Sequence, residues 1–268
     1  MKAILIDVSA FAFKYFHGMP KTIKRKSDEF PTNSILGFIH FMSRLVSAET
    51  DPFVGYALLD GGHSTRTQVN TEYKSNRKPP PSPLKQQFPI VEQIPGLFGF
   101  NTYRVVGKEA DDLIATIVRL LSDNQEITTI ELHTMDKDSY QLLTYDKLKL
   151  IGPKFENATQ MTQKFGISPG QFIDYQALVG DKVDNIPGVK GIGAKTAVKL
   201  INKYGCIENI PTDCFPGRDE GFRHAQESKE LAKLDQFVDI PGFTVQISKK
   251  HEQKLKTFCE EYEIKKRF

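Results

Sequence analysis

Ala3-Ile4-Leu5-Ile6-Asp7 is a run of four apolar residues closed by an acid, and the same design returns along the chain. Val54 to Leu59 (Val-Gly-Tyr-Ala-Leu-Leu) ends in Asp60. Thr102-Tyr-Arg-Val-Val106 leads through Gly107 into Glu109-Ala-Asp-Asp112. Ile127 to Leu132 leads through His133-Thr-Met135 to Asp136 and Asp138. Short, β-rich apolar runs are buried strands. Helical patterns separate them: Phe38 to Leu45 lies in one helix, and Asp112 to Leu121 forms another, with Leu113, Ile117 and Leu120 or Leu121 on one face. Alternating strands and helices give a mostly parallel α/β sheet with helices on both faces. Ligands of such sheets bind beyond the carboxyl ends of the strands, and here four strand ends carry acids to that edge.

The acids in question are Asp7, Asp60, Glu109, Asp111, Asp112, Asp136, Asp138, Asp181 and Asp184. So many carboxylates on one edge repel one another unless cations neutralise them. Hard oxygen donors select Mg²⁺ or Mn²⁺ over zinc; there is no His-Glu-x-x-His, and the six histidines show no ligand spacing. Two such cations suit phosphodiester hydrolysis. Glu109 and Asp112 are three residues apart, on one face of any helix beginning there. Acids at a helix start also serve as dipole partners, and for these residues alone the two readings are even. A lone strand-end Asp is more often a cap. Caps, however, have no reason to gather on one edge.

Residues 62–89 break the pattern. They are polar, carry Arg66, Lys74, Arg77, Lys78 and Lys85 against the single acid Glu72, and hold Pro79-Pro80-Pro81. Three prolines forbid a continuous helix, and a long segment with no core pattern is a functional loop or lid, or disordered. From Gly170 the chain reads helix, Gly-rich turn, helix, the second helix running from about Ala194 to Tyr204. The turn, Gly188-Val-Lys-Gly-Ile-Gly-Ala-Lys-Thr196, is no phosphate-binding P-loop, because Ala194 separates Gly193 from Lys195. A hairpin whose glycines and amide groups meet a phosphate fits better. Lys182, Lys190, Lys195, Lys199 and Lys203 surround it. Lysines alone favour a merely solvated face; Gly191 and Gly193 followed by Lys195 and Thr196 strengthen the phosphate reading.

Composition bounds the rest. Of 268 residues, 39% are hydrophobic and 26% charged, as in an ordinary globular chain, and the net charge of +3 does not announce a nucleic-acid binder. Three cysteines without Cys-x-x-Cys spacing argue against a disulfide framework and for a reducing compartment. No apolar run approaches a membrane span, and Asp7 interrupts the N-terminus before a signal peptide forms. A cytoplasmic monomer without membrane contact is the expectation.

Taken in order, Leu5-Ile-Asp7 with His17 downstream, Glu72-Tyr-Lys-Ser-Asn-Arg77, Gly107-Lys-Glu-Ala-Asp-Asp112, Asp136-Lys-Asp138 and Gly180-Asp-Lys-Val-Asp-Asn-Ile-Pro-Gly188 resemble the 5′→3′ exonuclease and flap endonuclease family of bacteria and phages. The likeness is greatest to the 5′-nuclease domain of bacterial DNA polymerase I and runs from residue 1 to about 265. Asp-Asn-Ile-Pro-Gly with its Gly-x-Gly turn is the specific part. The resemblance implies a PIN-like domain over residues 1–165 with an arch at 62–89, and a helical region over 166–268 with a helix-three-turn-helix clamp at 170–204. It implies that Asp7, Asp60, Glu109 and Asp111 serve a first Mg²⁺, and Asp136, Asp138, Asp181 and Asp184 a second. Asp112 would be a ligand or stand behind one. Tyr73, Lys74 and Arg77 match arch positions that steer the frayed strand and meet the scissile phosphate, so Lys74, Arg77, Asp111 and Asp136 are the expected catalytic residues. Backbone carbonyls of Leu178, Val179, Pro187, Val189 and Ile192 would hold a K⁺ against the DNA, flanked by Lys190, Gly191, Gly193, Lys195, Thr196 and Lys199. Val8 and Met135 stand where the family usually has glycine. The implied substrate is DNA with a 5′ flap, 5′ overhang or nick, and with no fused polymerase expected after residue 268, the nuclease would act alone or with a separate DNA polymerase. A silent junction-binding protein, a small-molecule phosphohydrolase and an RNA-directed nuclease are the rival readings.

Overall fold

The structure is a computed structural model that describes residues 1–265. Five strands, β1 (Lys2–Asp7), β2 (Phe53–Leu59), β3 (Asn101–Arg104), β4 (Thr129–His133) and β5 (Leu148–Ile151), form one sheet in the order β3-β2-β1-β4-β5. Every neighbouring pair is parallel, with Lys2 opposite Phe53 on one side and Thr129 on the other. Strand order reverses between β1 and β4, and such a switch point opens a crevice at the carboxyl ends. Asp7 closes β1 there, and Asp136 follows β4.

The apolar runs are continuous because both faces of the sheet are covered. Successive side chains point to opposite faces. Ala3, Leu5, Val54, Tyr56 and Leu58 therefore join one core, and Ile4, Ile6, Phe53, Ala57 and Leu59 the other. The first core is filled by α5 (Ala110–Asp123), whose Leu113, Ile114, Ile117, Val118 and Leu121 are wholly or almost wholly buried. Each such side chain contributes about 1.5–3 kcal/mol through burial. The second core takes α1 (Val8–Gly18), α2 (Asn33–Ser47), α3 (Ser82–Val91) and the short α4 (Ile94–Leu97).

Beyond β5 the chain is helical: α6 (Ala158–Phe165), α7 (Phe172–Val179), α8 (Ala194–Tyr204), α9 (Asp219–Ala232) and α10 (Glu252–Glu261). Its tail then returns to the sheet. The Ser248 amide donates to the Phe53 carbonyl (2.9 Å), the Tyr56 hydroxyl to the Thr244 carbonyl (3.0 Å), and Leu255, Phe258 and Ile264 enter the second core. Among the described residues no disulfide joins Cys206, Cys214 or Cys259. Among the described residues no helix is long and apolar enough to cross a membrane.

The segment 62–89 is not the coreless loop its polarity suggested. Thr65–Gln68 is a turn of 3₁₀ helix, and α3 begins at Ser82 with Leu84 and Gln87 fully buried. Arg66 and Tyr73 are buried as well. Polar bonds hold the segment down, which apolar periodicity does not register. The Gln87 side-chain carbonyl accepts from the amides of Ser34 (2.9 Å) and Ile35 (3.3 Å), at the open start of α2.

Candidate active site

A cavity of about 460 Å³ opens at the carboxyl edge of the sheet. Asp7, Asp60, Asp111, Asp136, Asp181 and Asp184 line it, with Lys74, Arg77 and Lys137, the apolar Phe13, Met135 and Val183, and Ser9. Strand ends and turns place each acid. Asp7 caps α1, its Oδ1 accepting the Ala10 amide (3.0 Å), while its Oδ2 accepts from the Thr134 hydroxyl (3.2 Å). Asp60 takes the Ala110 amide on Oδ1 (3.0 Å) and the Ser9 hydroxyl on Oδ2 (2.7 Å), which fixes the start of α5 against β2. Asp136 accepts the Asp138 amide (2.9 Å) and donates its own amide to the Thr134 hydroxyl (3.1 Å). Capping and facing the cavity are thus not alternatives: the oxygen that makes the cap leaves the second oxygen of Asp7 and Asp60 with only a hydroxyl donor, and each carboxylate oxygen keeps a further lone pair.

Asp181 and Asp184 come from the turn after α7. There Asp181 and Ile186 exchange backbone hydrogen bonds at 2.8 Å each. Gly180 and Gly188 face each other across it with φ of +79° and +66°, and a Cβ on Gly188 would lie 2.5 Å from the Gly180 nitrogen, so this tight crossing requires glycine. The Lys74 amide donates to the Asp184 carbonyl (2.9 Å), the Asn76 side chain to the Lys182 carbonyl (2.6 Å), and the Asn185 side chain to the Glu72 carbonyl (2.7 Å). Two motifs a hundred residues apart in sequence therefore interlock, and the 72–77 turn is seated on the 181–185 turn. Lys74 and Arg77, three residues apart, lie on no helix. Lys74 sits at φ +56° in a turn, and both side chains reach Asp184 from it, Lys74 Nζ at 3.6 Å.

Three of the nine acids stand outside the cavity wall. Asp112 is paired, not free for a cation: Arg66 Nη2 and Nη1 donate to its two oxygens at 2.6 and 2.9 Å, and the Asp235 amide adds a third bond at 2.9 Å. Glu109 is the extended residue just before α5 and not part of it, and it reaches the same Arg66, whose Nη1 is 3.2 Å from Glu109 Oε2. Glu109 is also held by Lys74 Nζ (2.7 Å) and the Tyr73 hydroxyl (3.3 Å). Asp138 is buried behind Asp136 and accepts from the Gln176 side chain at 2.5 Å. Sequence reasoning missed Ser9, Thr134, Lys137, Arg66 and Gln176. A hydroxyl two residues from Asp7 and another two before Asp136 were the only signals; Gln176 had none.

Electrostatics record the crowding. Burial, opposed by the Ala10 amide and reinforced by Asp60 and Asp136, pushes Asp7 up to about 7. Burial with Asp136 and Asp184 does the same for Asp138, to about 7. Asp111 is driven well above the ordinary range by its position deep in the cavity and by Asp136 and Asp7. Asp181 is the exception. Burial works upward there too, but the Lys137 ammonium at 2.9 Å and the Val183 amide at 2.8 Å hold it low. Among the described residues no three acids come close enough to clasp one ion as they stand. What the cavity offers is a wall of carboxylate oxygens, three of its basic side chains folded inward onto them, and a donor set of the kind hard divalent cations take.

The clamp follows directly. Helix α8 starts at Gly193 with no side-chain cap, leaving the first-turn amides available to an anion. Lys190, Gly191, Gly193, Lys195, Thr196 and Lys199 are all exposed around that start. Of the five carbonyls expected around K⁺, Leu178 accepts the Val189 amide (2.8 Å) and Val189 the Ile192 amide (3.0 Å). Each keeps a second lone pair. Val8 is packed into the second core, and Met135 lies on the cavity wall, 42% exposed.

Residues 2–166 match the model of the 5′-3′ exonuclease N-terminal resolvase-like domain, and residues 167–266 that of the 5′-3′ exonuclease C-terminal SAM fold. The chain belongs to the 5′-3′ exonuclease family. It is 33% identical to a 5′-3′ exonuclease of Aquifex aeolicus over 97% of this chain and 92% of that one. It is 30% identical to the thermostable DNA polymerase I of Thermus aquaticus over 98% of this chain, but spans only 32% of that polymerase. Among solved structures, the bacteriophage T5 flap endonuclease in a pseudo-enzyme–product complex with DNA and metal ions superposes with a TM-score of 0.61 at 26% identity, covering 87% of this chain and 86% of that one. The chain is therefore a nuclease with the fold of that family, a parallel PIN-like sheet followed by a helical region.

Proposed function

We propose that this nuclease hydrolyses DNA phosphodiesters at the junction of single strand and duplex, removing 5′ flaps and 5′ ends and leaving a 5′ phosphate. The observation that carries this reading is the cavity itself: six carboxylates beside Lys74 and Arg77 at the sheet's carboxyl edge, next to an uncapped, lysine-rich helix start. The acids hold two divalent cations, Mg²⁺ in preference with Mn²⁺ as a substitute. When bound, such a pair supplies activation of water and stabilisation of charge on the phosphorane and the leaving oxygen. Asp7, Asp60 and Asp111 hold one side, and Asp136, Asp181 and Asp184 the other. Glu109 and Asp138 lie one layer behind and join through water or a small side-chain swing.

Duplex phosphates rest on the amides and lysines at the start of α8, with K⁺ at the hairpin as a further tie. The frayed 5′ strand passes under the 72–77 turn into the cavity. There Lys74 and Arg77 exchange their carboxylate partners for the scissile phosphate, and Lys74 meets charge that grows in the transition state. A separate DNA polymerase would supply the flaps this enzyme trims. The test is a labelled 5′-flap duplex, with RNA-flap and blunt-duplex controls, incubated with Mg²⁺ or with EDTA. Mg²⁺-dependent cutting within about a nucleotide or two of the junction is expected. Cutting of RNA alone, or no Mg²⁺-dependent cutting, overturns the reading.

A further inference from the structure

Lys137 stands between Asp136 and Asp138, yet it pairs with neither. Its ammonium crosses the cavity mouth to Asp181 Oδ2 at 2.9 Å, from another element and more than forty residues on. Asp181 is buried, with 6% of its side chain exposed, whereas Lys137 is 51% exposed and stays in contact with solvent. A buried carboxylate is thus neutralised by a cation on a long, half-solvated stem. Asp181 Oδ1 is meanwhile taken by the Val183 amide. Oδ2 is the oxygen that a metal would need, and it is the oxygen the ammonium occupies.

Resting on the two-cation reading above, we propose that Lys137 is a tethered counter-ion that competes with the second divalent cation for Asp181. In the metal-free protein it holds Asp181 Oδ2 in place. Arrival of a divalent ion displaces it, and the released ammonium stays on the cavity wall. Lys74 and Arg77 differ from it in kind. They come from the 72–77 turn and are seated by its backbone bonds, whereas Lys137 opens a short 3₁₀ helix, Lys137–Thr144, which contains Asp138 and is capped by Asp136. Removing the competitor should tighten the cation it opposes. An ion pair with one half-exposed member contributes little, so the gain is modest: about two- to tenfold in affinity for the release of Asp181 from the pair.

Direct metal binding tests this. Mn²⁺ is titrated into the wild-type protein, Lys137→Gln, Lys137→Met and Lys137→Arg at about pH 7.5, reading free Mn²⁺ by electron paramagnetic resonance and heat by calorimetry. Wild-type protein that takes up no Mn²⁺ would end the two-cation reading itself. Given uptake, Gln and Met should each tighten the weaker site about two- to tenfold, and Arg should leave it near the wild-type value. In an Asp181→Asn background the same Lys137 substitutions should change affinity by less than about twofold. Unchanged or weakened Mn²⁺ binding in both Gln and Met overturns the proposal. So does a gain that persists without the Asp181 carboxylate, since Lys137 would then act only through the general field of the cavity.

Discussion

Asp111 and Asp112 are neighbours on one helix turn, and the structure gives their removal opposite consequences for stability. Asp112 is 3% exposed and Arg66 8%, and two hydrogen bonds at 2.6 and 2.9 Å join them. Asp112→Ala leaves a buried guanidinium with the Lys233 carbonyl (2.6 Å) and one oxygen of Glu109 (3.2 Å). It also strips the Asp235 amide of its acceptor. Breaking a buried pair by removing one member costs about 3–5 kcal/mol, and the surviving Glu109 contact argues for the lower end, about 3 kcal/mol. For a chain of this size that lowers the melting temperature by about 6–12 °C. Asp111 faces the other way. Its carboxyl is held well above the ordinary range in the fold, so it subtracts stability as pH rises through its folded value. Asp111→Asn should therefore raise the melting temperature at about pH 8 and do so by less at about pH 4, near the ordinary carboxylate value, where the unfolded acid is itself half protonated. The assay is thermal unfolding by circular dichroism in EDTA at both pH values, with Mn²⁺ affinity measured alongside. An Asp112→Ala protein that melts like wild type but loses a Mn²⁺ ion would refute the reasoning, because Asp112 would then be a ligand and its bond to Arg66 incidental.

Other perturbations separate the parts of the site. Lys74→Ala should cut the single-turnover rate on a flap by about two or more orders of magnitude with little loss of junction affinity; a normal rate at saturation with weakened binding would make Lys74 a docking charge only. Lys195→Ala with Lys199→Ala should weaken duplex binding and flatten its salt dependence by about one to two units of slope, measured by fluorescence anisotropy, and replacing K⁺ by Li⁺ at constant ionic strength should weaken it further if the hairpin carbonyls bind K⁺. Asp7 and Asp138 are raised to about 7, chiefly by burial, so cation binding must displace their protons. Mn²⁺ affinity should climb by about tenfold or more per pH unit below 7 and flatten above about pH 8, and an affinity independent of pH would show that neither acid takes part.

Much of this was legible because the sheet is buried on both faces. Continuous runs such as Ala3 to Ile6 have one physical explanation, and the acids that end them fall on one edge by the geometry of parallel strands. Strand β5 was not legible. Its Leu148 and Leu150 alternate with the exposed Lys149 over only four residues, too short for a pattern. Six of the nine acids do gather around one cavity, but the partners of individual charges were not legible. Glu109 stands just outside α5 and Asp112 inside its first turn, and only the fold reveals that both meet the buried Arg66. Arg66 itself looked like part of a basic loop. Nothing in spacing distinguishes an arginine that will be buried against two carboxylates from one that will be solvated.

The same limitation explains why the arch is better anchored than its composition implied. A segment lacking apolar side chains can still be fixed if each of its polar groups has a specific partner, because an unmet buried donor costs about 1–3 kcal/mol. Residues 72–77 meet the Asp181–Asn185 turn through three backbone-directed bonds and through Lys74 and Arg77 on Asp184. Arg66, a few residues earlier, ties the same segment to Glu109, Asp112 and the Lys233 carbonyl. Arch, carboxylates and the entrance to the clamp hairpin are therefore one connected polar network. Any ligand that draws Lys74 or Arg77 off Asp184 also loosens the seat of the 72–77 turn, and any change at the hairpin that moves Asp184 moves a wall of the cavity. Coupling between the duplex site proposed at α8 and the strand-end site proposed in the cavity then requires no separate relay: the turn that carries Asp181 and Asp184 opens the hairpin on one side and closes the cavity on the other.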